Sequence, residues 1–293
     1  MLLARALRWY LRSSLRGRTR LSILATRHLR PLWSVPIRIA GCAPLYVDLR
    51  SGHARHLLQG EPWARAPWEP AEQEAMRRVV ARGDVALDIG ANIGVHSVLL
   101  SALVGPEGRL FIFEPNPDLV PALSRTARGL GNASVLTHAL SDETGRRTLF
   151  ISPDAMKTSL ADWTDRSVDG EARRDTCEQR RLDDLVADGA IPQPDFIKCD
   201  VEGAELLVFR GARRVLDRTD APIVLFEVNR HTAEGFGVPT PAAKDFLAGL
   251  PKAQYRFFAL RSTGELPAIE GSVPGGNVLA VPEAKMAAFP ELR

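Results

Sequence analysis

The chain has 293 residues, of which 45% are hydrophobic, and its formal net charge at pH 7 is +3. No apolar run reaches the roughly 18 residues that a membrane-spanning helix needs. The three cysteines are scattered and match no metal or redox spacing, so a zinc finger and a disulfide framework are not expected. Length and composition predict a cytoplasmic protein with one α/β domain and an extension.

The positive charge is concentrated near the N-terminus. Residues 1–47 contain nine of the 38 basic residues, all of them arginines, and none of the 35 acidic residues. The rest of the chain is therefore mildly acidic. This asymmetry predicts a basic N-terminal arm attached to an acidic body.

Residues 2–16 have the pattern of an amphipathic helix. At about 100° per residue its arginines share one arc, and its leucines and Tyr10 lie opposite. Such a helix either docks on the body through its leucines, lies peripherally on an anionic membrane surface, or contacts nucleic-acid phosphates. An arginine-rich segment without acids is also typical of a transit peptide. We interpret residues 1–34 as a basic arm whose preferred external partner is an anionic membrane, through residues 1–30, rather than nucleic acid.

The pattern divides the remaining chain into an extension and a main domain. Residues 36–49 predict a hairpin, 59–70 a connector rich in proline and tryptophan, and 69–82 a helix. We therefore predict three units, at 1–34, 35–80 and 81–293.

Apolar strands and helical segments alternate in the main domain. This alternation predicts a mostly parallel sheet with helices on both faces, which binds its ligand at the carboxyl ends of the strands. The polar segment 153–180 breaks the rhythm and predicts a long loop that acts as a lid or contacts a substrate. The predicted strands are 85–89, 109–113, 134–140, 195–201, 222–228, 255–260 and 277–281, and the predicted helices are 94–103, 117–129, 203–216 and 240–249.

The most informative segment is an apolar strand that contains Asp88 and leads into a turn with glycines at 90 and 94. The next strand ends at Glu114, twenty residues after Gly94. A carboxylate at that point can accept hydrogen bonds from both hydroxyls of a ribose. The layout predicts a nucleoside-binding βαβ unit. An ordinary strand-to-helix turn in which Asp88 caps the helix is the alternative.

The spacing of the turn distinguishes between nucleoside ligands. A dinucleotide fold has a further glycine that lets the backbone approach a pyrophosphate, but here Ala91 and Asn92 occupy the centre of the turn. Asp88 would repel a phosphate, whereas it suits the ammonium group of S-adenosylmethionine. We therefore predict a methyl donor, and a nicotinamide-dependent oxidoreductase is the less favoured reading.

A second cluster of charges follows the strand at 195–201. Lys198 and Asp200 are two residues apart, so both side chains point to the same side of the strand. Asp200, Glu202 and Glu205 gather at its carboxyl end, where a substrate would meet the donor. We predict that Asp200 is functional. Glu205 fits a functional role and a helix N-terminal acid equally well, and Lys198 is suited to neutralising the acids.

Taken in order, several segments resemble the FkbM family of class I S-adenosylmethionine-dependent methyltransferases, and the resemblance covers about residues 85–230. It implies a Rossmann-like, mostly parallel seven-stranded sheet with an antiparallel last strand and helices on both faces. It also implies O-methylation of a hydroxyl on a sugar, glycan or polyketide-type metabolite. The segments are Asp88-Ile-Gly-Ala-Asn-Ile-Gly94, Phe113-Glu-Pro-Asn-Pro117, Ala139-Leu-Ser-Asp142, Arg181-Leu-Asp-Asp184, Ile197-Lys-Cys-Asp-Val-Glu-Gly-Ala-Glu205 and Phe226-Glu-Val228.

The resemblance implies a set of residues around the methionine part of the donor. These residues belong to the strand end and turn described above. The set consists of Asp88, Gly90, Ala91, Asn92 and Gly94.

The resemblance also implies contacts to the rest of the donor. Glu114 would bind the ribose, Asn116 would border the adenine, and Ser141 and Asp142 would flank the adenine edge. Asp200 would lie near both the amino end of the donor and the acceptor.

Methyl transfer to an alcohol is helped by a general base at a strand end. The candidates are Asp200, Glu227 and His231. Asp200 and Glu227, together with Asn229, could instead hold Mg²⁺ through oxygen ligands. We do not favour this alternative, because the acids suffice as a base and as contacts to the donor, and we predict no metal site.

Two other functions stay open at this point. A nucleic-acid methyltransferase would use the basic arm, although the chain has no Asn/Asp-Pro-Pro-Tyr motif. A non-catalytic protein could bind the donor without turnover, although the acids at 200 and 227 argue against it.

Overall fold

A computed structural model describes residues 2–13, 16–39, 42–59, 69–152, 158–162, 171–273 and 275–292. The segment before the main domain forms two helices, a hairpin and two further helices. Its elements are α1 (Leu2–Arg12), α2 (Arg18–His28), β1 (Val35–Ile37), β2 (Leu45–Val47), α3 (Gly52–Gln59) and α4 (Pro70–Val79).

The main domain alternates strands and helices from residue 85 onwards. Its first half contains β3 (Val85–Ile89), α5 (Val95–Val104), β4 (Arg109–Phe113), α6 (Val120–Leu130), β5 (Ala133–Leu136), β6 (Ala139–Leu140), β7 (Gly145–Ile151), β8 (Thr158–Ser159) and β9 (Arg173–Arg180). Its second half contains α7 (Leu182–Ala187), β10 (Phe196–Cys199), α8 (Glu205–Gly211), α9 (Arg213–Leu216), β11 (Ile223–Val228), α10 (Arg230–Gly235), α11 (Ala242–Ala248), β12 (Tyr255–Ala259) and β13 (Gly276–Pro282).

Seven strands form one central sheet in the order β12-β13-β11-β10-β3-β4-β5. The strands from β11 to β5 pair in parallel, whereas β13 runs antiparallel to both of its neighbours. This confirms the predicted fold class, a mostly parallel seven-stranded sheet with an antiparallel last strand. The order of the strands reverses between β3 and β10, so the carboxyl ends of these two strands border the crevice in which such sheets bind ligands.

Both faces of the central sheet are buried, and successive residues of each strand contribute to opposite faces. Leu87 and Phe226 belong to one apolar core, while their neighbours Ala86 and Leu225 belong to the other. This alternation explains why the strands have nearly continuous apolar sequences, since a strand covered on both sides has no solvent face.

A second sheet occupies the region where the sequence predicted one strand and a long loop. The prediction of one continuous strand at 134–140 is wrong. Residues 133–136 form a strand of the central sheet, and residues 139–140 form a separate strand of the second sheet. That sheet has the order β6-β9-β7-β8. The loop predicted at 153–180 is wrong for β8 and β9, while residues 153–157 and 163–170 lie outside the described residues. Polar residues alternate with the buried Cys177 and Gln179 in β9, so this strand has no apolar run.

The N-terminal residues form two short helices instead of one helix over 2–16. The first helix ends at Arg12, and the hydroxyl of Ser13 donates a hydrogen bond to the carbonyl of Tyr10 at 2.7 Å. Gly17 then adopts a left-handed conformation with φ of 77° before α2 begins. Among the described residues, no helix combines the length and apolar character needed to cross a bilayer.

The predicted hairpin is confirmed, and it packs on the main domain. Leu45 and Val47 of β2 are buried in the same apolar cluster as Val95 and Val98 of α5. The backbone N–H of Tyr46 also donates to Thr126 Oγ1 at 2.9 Å. The division of the chain into units at 1–34, 35–80 and 81–293 stays a prediction.

The packing of α8 on β6 generates a test of the fold. A Cβ atom on Gly211 would lie 1.9 Å from the backbone oxygen of Ser141, a distance that no side chain tolerates. We expect Gly211→Ala to destabilise the protein by about 1–3 kcal/mol, the usual cost of overpacking. Gly129→Ala is the matched control, because nothing lies within 4 Å of its added Cβ on α6. Denaturant unfolding of both variants checks this, and equal stability of the two would contradict the packing.

Candidate active site

A cavity of about 260 Å³ lies at the carboxyl ends of β3, β4 and β10, and we refer to it as the large cavity. Its wall includes the turn after β3, the end of β4, the end of β10 and the second sheet. The lining includes Gly90, Ala91, Asn92, Glu114, Lys198 and Asp200 from the central sheet and His138, Ala139, Leu140, Leu149, Thr158, Ser159 and Leu160 from the second sheet and the residues around it.

The turn after β3 is held in a conformation that requires small or special residues. Gly90 has φ of 79°, and a Cβ atom there would lie 1.9 Å from the backbone oxygen of Asp200. Asn92 is also left-handed, with φ of 53°, a conformation that asparagine tolerates better than most residues. The N–H groups of Gly90 and Ala91 both donate to the carbonyl of Phe113, at 3.0 and 3.1 Å. The turn is therefore fixed against β4 and against the end of β10.

Glu114 connects this turn to the loop after β4. Its Oε2 accepts from the N–H of Asn92 and its Oε1 from the N–H of Asn116, each at 2.8 Å. Burial raises the pKa of Glu114 to about 7, and the two N–H donors oppose that shift. Each carboxylate oxygen has a second lone pair, so Glu114 keeps acceptor capacity for the hydroxyls of a ligand in the cavity.

Asp88 lies beneath the large cavity and is not part of its lining. Its side chain is fully buried, and Oδ2 accepts a hydrogen bond from Ser97 Oγ at 2.6 Å. Within the part of the chain that the structure describes, Oδ1 has no hydrogen-bond partner. Burial raises the pKa of Asp88, while the charge of Lys198 and the Ser97 hydroxyl oppose the shift. The expected alternative of Asp88 as a helix cap is wrong, because the N-cap of α5 is Gly94 and no side chain caps it.

Lys198 and Asp200 point to the same side of the strand, as the sequence predicted. Lys198 Nζ lies 2.9 Å from Asp200 Oδ2. Burial acts to lower the pKa of Lys198, but the charges of Asp200 and Asp88 outweigh it and raise the pKa overall. The lysine is therefore a buried cation that compensates the neighbouring carboxylates.

Glu205 has a structural role at the turn before α8. Its Oε1 accepts from the N–H of Val201 at 3.0 Å and from the N–H of Gly203 at 3.4 Å. Burial raises the pKa of Glu205 to about 8. Its side chain lines neither the large cavity nor a smaller cavity that adjoins it.

A second cavity of about 120 Å³, the small cavity, adjoins the large one. The two cavities share part of their lining, and the small one then extends to the carboxyl end of β11 and to β13. The shared residues are Glu69, Lys198, Asp200 and Glu202, and the small cavity adds Glu72, Cys199, Leu225, Phe226, Glu227 and Asn277. Asp200 therefore lies where the two cavities meet.

Glu227 is an acid of the small cavity with a strongly raised pKa. Burial raises its pKa to about 7, and the charge of Asp200 adds to the increase. Asn229 Nδ2 donates to Glu227 Oε1 at 3.5 Å. Burial also raises the pKa of Glu72, whose carboxylate accepts a hydrogen bond from the Asn277 amide. A carboxyl with a pKa of about 7 is partly protonated at neutral pH, so the small cavity contains such a group in Glu227.

Apart from Asp88, five of the residues predicted for the site line neither cavity. Gly94 is the N-cap residue of α5. The side-chain amide of Asn116 donates to Thr158 Oγ1 at 3.0 Å. The N–H of Ser141 donates to the carbonyl of Arg180 at 3.0 Å, and its hydroxyl donates to Asp142 Oδ1 at 3.2 Å. His231 is exposed, and its N–H donates to Asn229 Oδ1 at 3.0 Å.

Among the described residues, no group of three or more His, Cys, Asp or Glu side chains is arranged to hold a metal ion. Coordination of Mg²⁺ by Asp200, Glu227 and Asn229 stays an untested alternative.

The sequence did not predict the wall that the second sheet contributes. His138 lines the large cavity, its Nε2 is buried without a hydrogen-bond partner, and its ring meets the edge of Phe113 at 5.5 Å between centroids. Burial lowers the pKa of His138, and the charge of Arg180 lowers it further, so its imidazole is neutral at pH 7. Thr158 and Leu160 lie in the segment that the sequence marked as a lid, which was the only signal for this wall.

Comparison with known proteins identifies the family. The family profile described as Methyltransferase FkbM domain matches residues 88–257. The chain is 32% identical over 188 residues to the hexuronic acid methyltransferase AglP of Haloferax volcanii, covering 62% of this chain and 74% of that protein. It is 30% identical over 149 residues to the 2-O-methyltransferase NoeI of Sinorhizobium fredii, covering 46% and 60%.

A third relative is the 31-O-demethyl-FK506 methyltransferase FkbM of Streptomyces tacrolimicus. It is 32% identical over 155 residues, covering 44% of this chain and 59% of that protein. The chain therefore spans about three quarters of AglP and less than two thirds of the other two relatives. The matched range includes nearly all of the lining of the large cavity, and it includes the lining of the small cavity except Glu69, Glu72 and Asn277. The chain belongs to the FkbM family of S-adenosylmethionine-dependent methyltransferases.

Proposed function

We propose that this enzyme methylates a hydroxyl group of a neutral, polyhydroxylated acceptor of the sugar, glycan or polyketide type. The observation that carries the proposal is the meeting of two cavities at Asp200, one lined by the glycine turn and Glu114 and one lined mainly by acids. The names of the relatives support the class of acceptor, since they include a hexuronic acid methyltransferase and a 2-O-methyltransferase.

The large cavity is the proposed donor site. Gly90 leaves room at the point where a Cβ would collide with Asp200, and Glu114 offers acceptors for ribose hydroxyls. Asp88 lies beneath this cavity without lining it, and its Oδ1 has no hydrogen-bond partner among the described residues, so its proposed role is electrostatic attraction of a cationic group. When bound, S-adenosylmethionine supplies an electrophilic methyl group there.

The second sheet is the proposed adenine side of the donor site. His138, Ala139 and Leu140 line the cavity immediately before the predicted adenine residues Ser141 and Asp142. The unpartnered Nε2 of a neutral His138 can donate or accept a hydrogen bond, depending on its tautomer.

The small cavity is the proposed acceptor site, and Glu227 is the proposed general base. An acceptor hydroxyl that gains a methyl group must lose its proton, and a carboxylate within the cavity can take it. With a pKa of about 7, Glu227 is partly ionised at neutral pH, which suits a general base. Asp200 is the second candidate, because it lines the small cavity as well as the large one, whereas His231 lines neither.

The charge of the small cavity favours an acceptor without a carboxylate. Glu69, Glu72, Asp200, Glu202 and Glu227 line it, and Lys198 is the one basic residue among the described residues of this lining. Burial raises the pKa of Glu72 and Glu227 and so reduces the negative charge, but acids still outnumber the lysine. Two like charges 4 Å apart repel each other by about 4 kcal/mol at an effective dielectric constant of 20. We therefore infer that the acceptor differs in charge from the hexuronic acid named for the Haloferax relative.

A matched pair of acceptors tests the proposed function. We expect transfer of labelled methyl from S-adenosylmethionine to neutral hexosides with kcat/KM at least tenfold above that for uronates of the same stereochemistry. The reason is repulsion between a uronate and the acids of the small cavity. A preference for uronates would contradict the assigned acceptor charge. Methylation of RNA or DNA but of no glycoside would support the nucleic-acid alternative.

Replacing the proposed base has a distinct effect on the pH profile. A base acts only when deprotonated, so wild-type kcat/KM should rise between pH 6 and 8, through the pKa of about 7. Glu227→Gln should lower kcat by about 10²–10⁴-fold and remove that rise. Binding of S-adenosylhomocysteine should stay unchanged. Glu234→Gln, an exposed acid on α10, is the control. If Glu227→Gln kept the wild-type profile, Asp200 would become the base.

The proposed ribose contact is tested through donor affinity. Glu114→Gln replaces one acceptor oxygen by an NH₂ group that faces a backbone N–H, and it removes the charge offered to the ribose. Hydrogen bonds to charged groups contribute about 1.5–3 kcal/mol, so we expect about 10- to 100-fold weaker binding of S-adenosylhomocysteine. Calorimetric titration measures this, with exposed Glu143→Gln as the matched control and NADH as the control ligand. Wild-type affinity in Glu114→Gln would place the ribose elsewhere.

A further inference from the structure

The first helix has an outward face that mixes large apolar and basic side chains. Leu2, Arg5, Trp9 and Arg12 are spaced three or four residues apart, and Leu2 and Trp9 are 84% and 70% exposed. The opposite face of α1, with Ala4, Leu7 and Leu11, is buried in the protein. The exposed tryptophan and leucine therefore remain outside after the helix has used its inner face for docking.

The second helix has its polarity inverted. Leu21 and Leu24 lie on its outer face, each 55% exposed, whereas Ser22 and Thr26 are completely buried. The carbonyl of Thr26 accepts from Trp33 Nε1 at 2.8 Å, which fixes the inner side of α2 against the chain that follows. A helix on an ordinary water-exposed surface has the opposite arrangement, with apolar residues inward.

The charges carried by this part of the chain have one sign. Residues 1–47 contain nine arginines and no acidic residue. Six of these arginines have side chains that the structure describes as exposed, and they belong to the same segment as the exposed leucines and Trp9. They are Arg5, Arg8, Arg12, Arg16, Arg20 and Arg30.

We propose that the outer face of α1 and α2, which we call the arm surface, docks on the surface of a membrane that contains anionic lipid. Exposed leucine and tryptophan next to arginine are the composition of helices that lie in the interface of a bilayer. A second copy of the chain would bring two sets of nine arginines together, and the phosphates of a nucleic acid would leave the leucines in water. An anionic bilayer satisfies both the charge and the apolar side chains.

Vesicle binding tests this docking with charge variants of the full-length protein. The probes are vesicles of pure phosphatidylcholine and vesicles with 30 mol% phosphatidylglycerol, assayed by cosedimentation at 0.1 M salt. We expect binding to the anionic vesicles only. Arg5→Gln/Arg12→Gln should weaken it about 30-fold, because each basic residue near such a surface contributes about 1 kcal/mol. Arg256→Gln/Arg261→Gln removes two exposed charges elsewhere and should bind as the wild type does.

The apolar half of the arm surface is tested separately. Leu21→Ser/Leu24→Ser should weaken binding to anionic vesicles, and the emission of Trp9, isolated by comparison with Trp9→Phe, should shift to shorter wavelength on binding. All of these residues are exposed, so the variants should keep the wild-type unfolding midpoint. Equal binding to neutral vesicles, absence of binding to both, unchanged binding of Arg5→Gln/Arg12→Gln, or a dimer that dissociates on Leu21→Ser/Leu24→Ser would overturn the proposal.

Discussion

The close contact between Gly90 and the backbone carbonyl of Asp200 is the constraint on which the active site depends. A Cβ atom on Gly90 would lie 1.9 Å from that oxygen, so the turn after β3 reaches the end of β10 only because residue 90 has no side chain. The contact joins the large cavity to the small one, with Asp200 at the junction. Glu114 then fixes the other side of the turn by accepting from the N–H of Asn92.

Burial determines how much charge this site actually carries. The carboxyls of Glu114, Glu205 and Glu227 have pKa values raised to about 7 or 8, chiefly because burial disfavours their ionised forms. Lys198 remains a cation because Asp200 and Asp88 outweigh the effect of its own burial. The site is therefore less negative at neutral pH than its acids suggest, and protons can be redistributed when a cationic donor enters. That is the electrostatic condition under which one buried carboxyl can act as a base beside a bound cation.

The central sheet and the glycine turn could be predicted because their signals are local: apolar runs of strand length, two glycines and an acid at a strand end. The second sheet could not, because β7 and β9 are distant in sequence and β9 alternates polar residues with the buried Cys177 and Gln179. His138 could not be predicted as a cavity residue for the same reason. Its position in the cavity wall depends on the pairing of β6 with β9 in the second sheet. Neither α2 nor its inverted polarity was predicted, because nothing in the sequence shows that Ser22 and Thr26 are buried while Leu21 and Leu24 are exposed.

The arm surface and the cavity wall are connected through one apolar cluster. Leu7 and Leu11 of α1 belong to the same buried cluster as Val95 and Leu160, which line the large cavity. The inner face of α1 therefore contributes to the packing behind the cavity, while its outer face is available to a membrane. Docking needs no unfolding of the helix, because the two faces use different residues. It follows that deleting the arm would disturb the packing behind the cavity together with the proposed membrane docking, whereas charge substitutions on its outer face would test the docking alone.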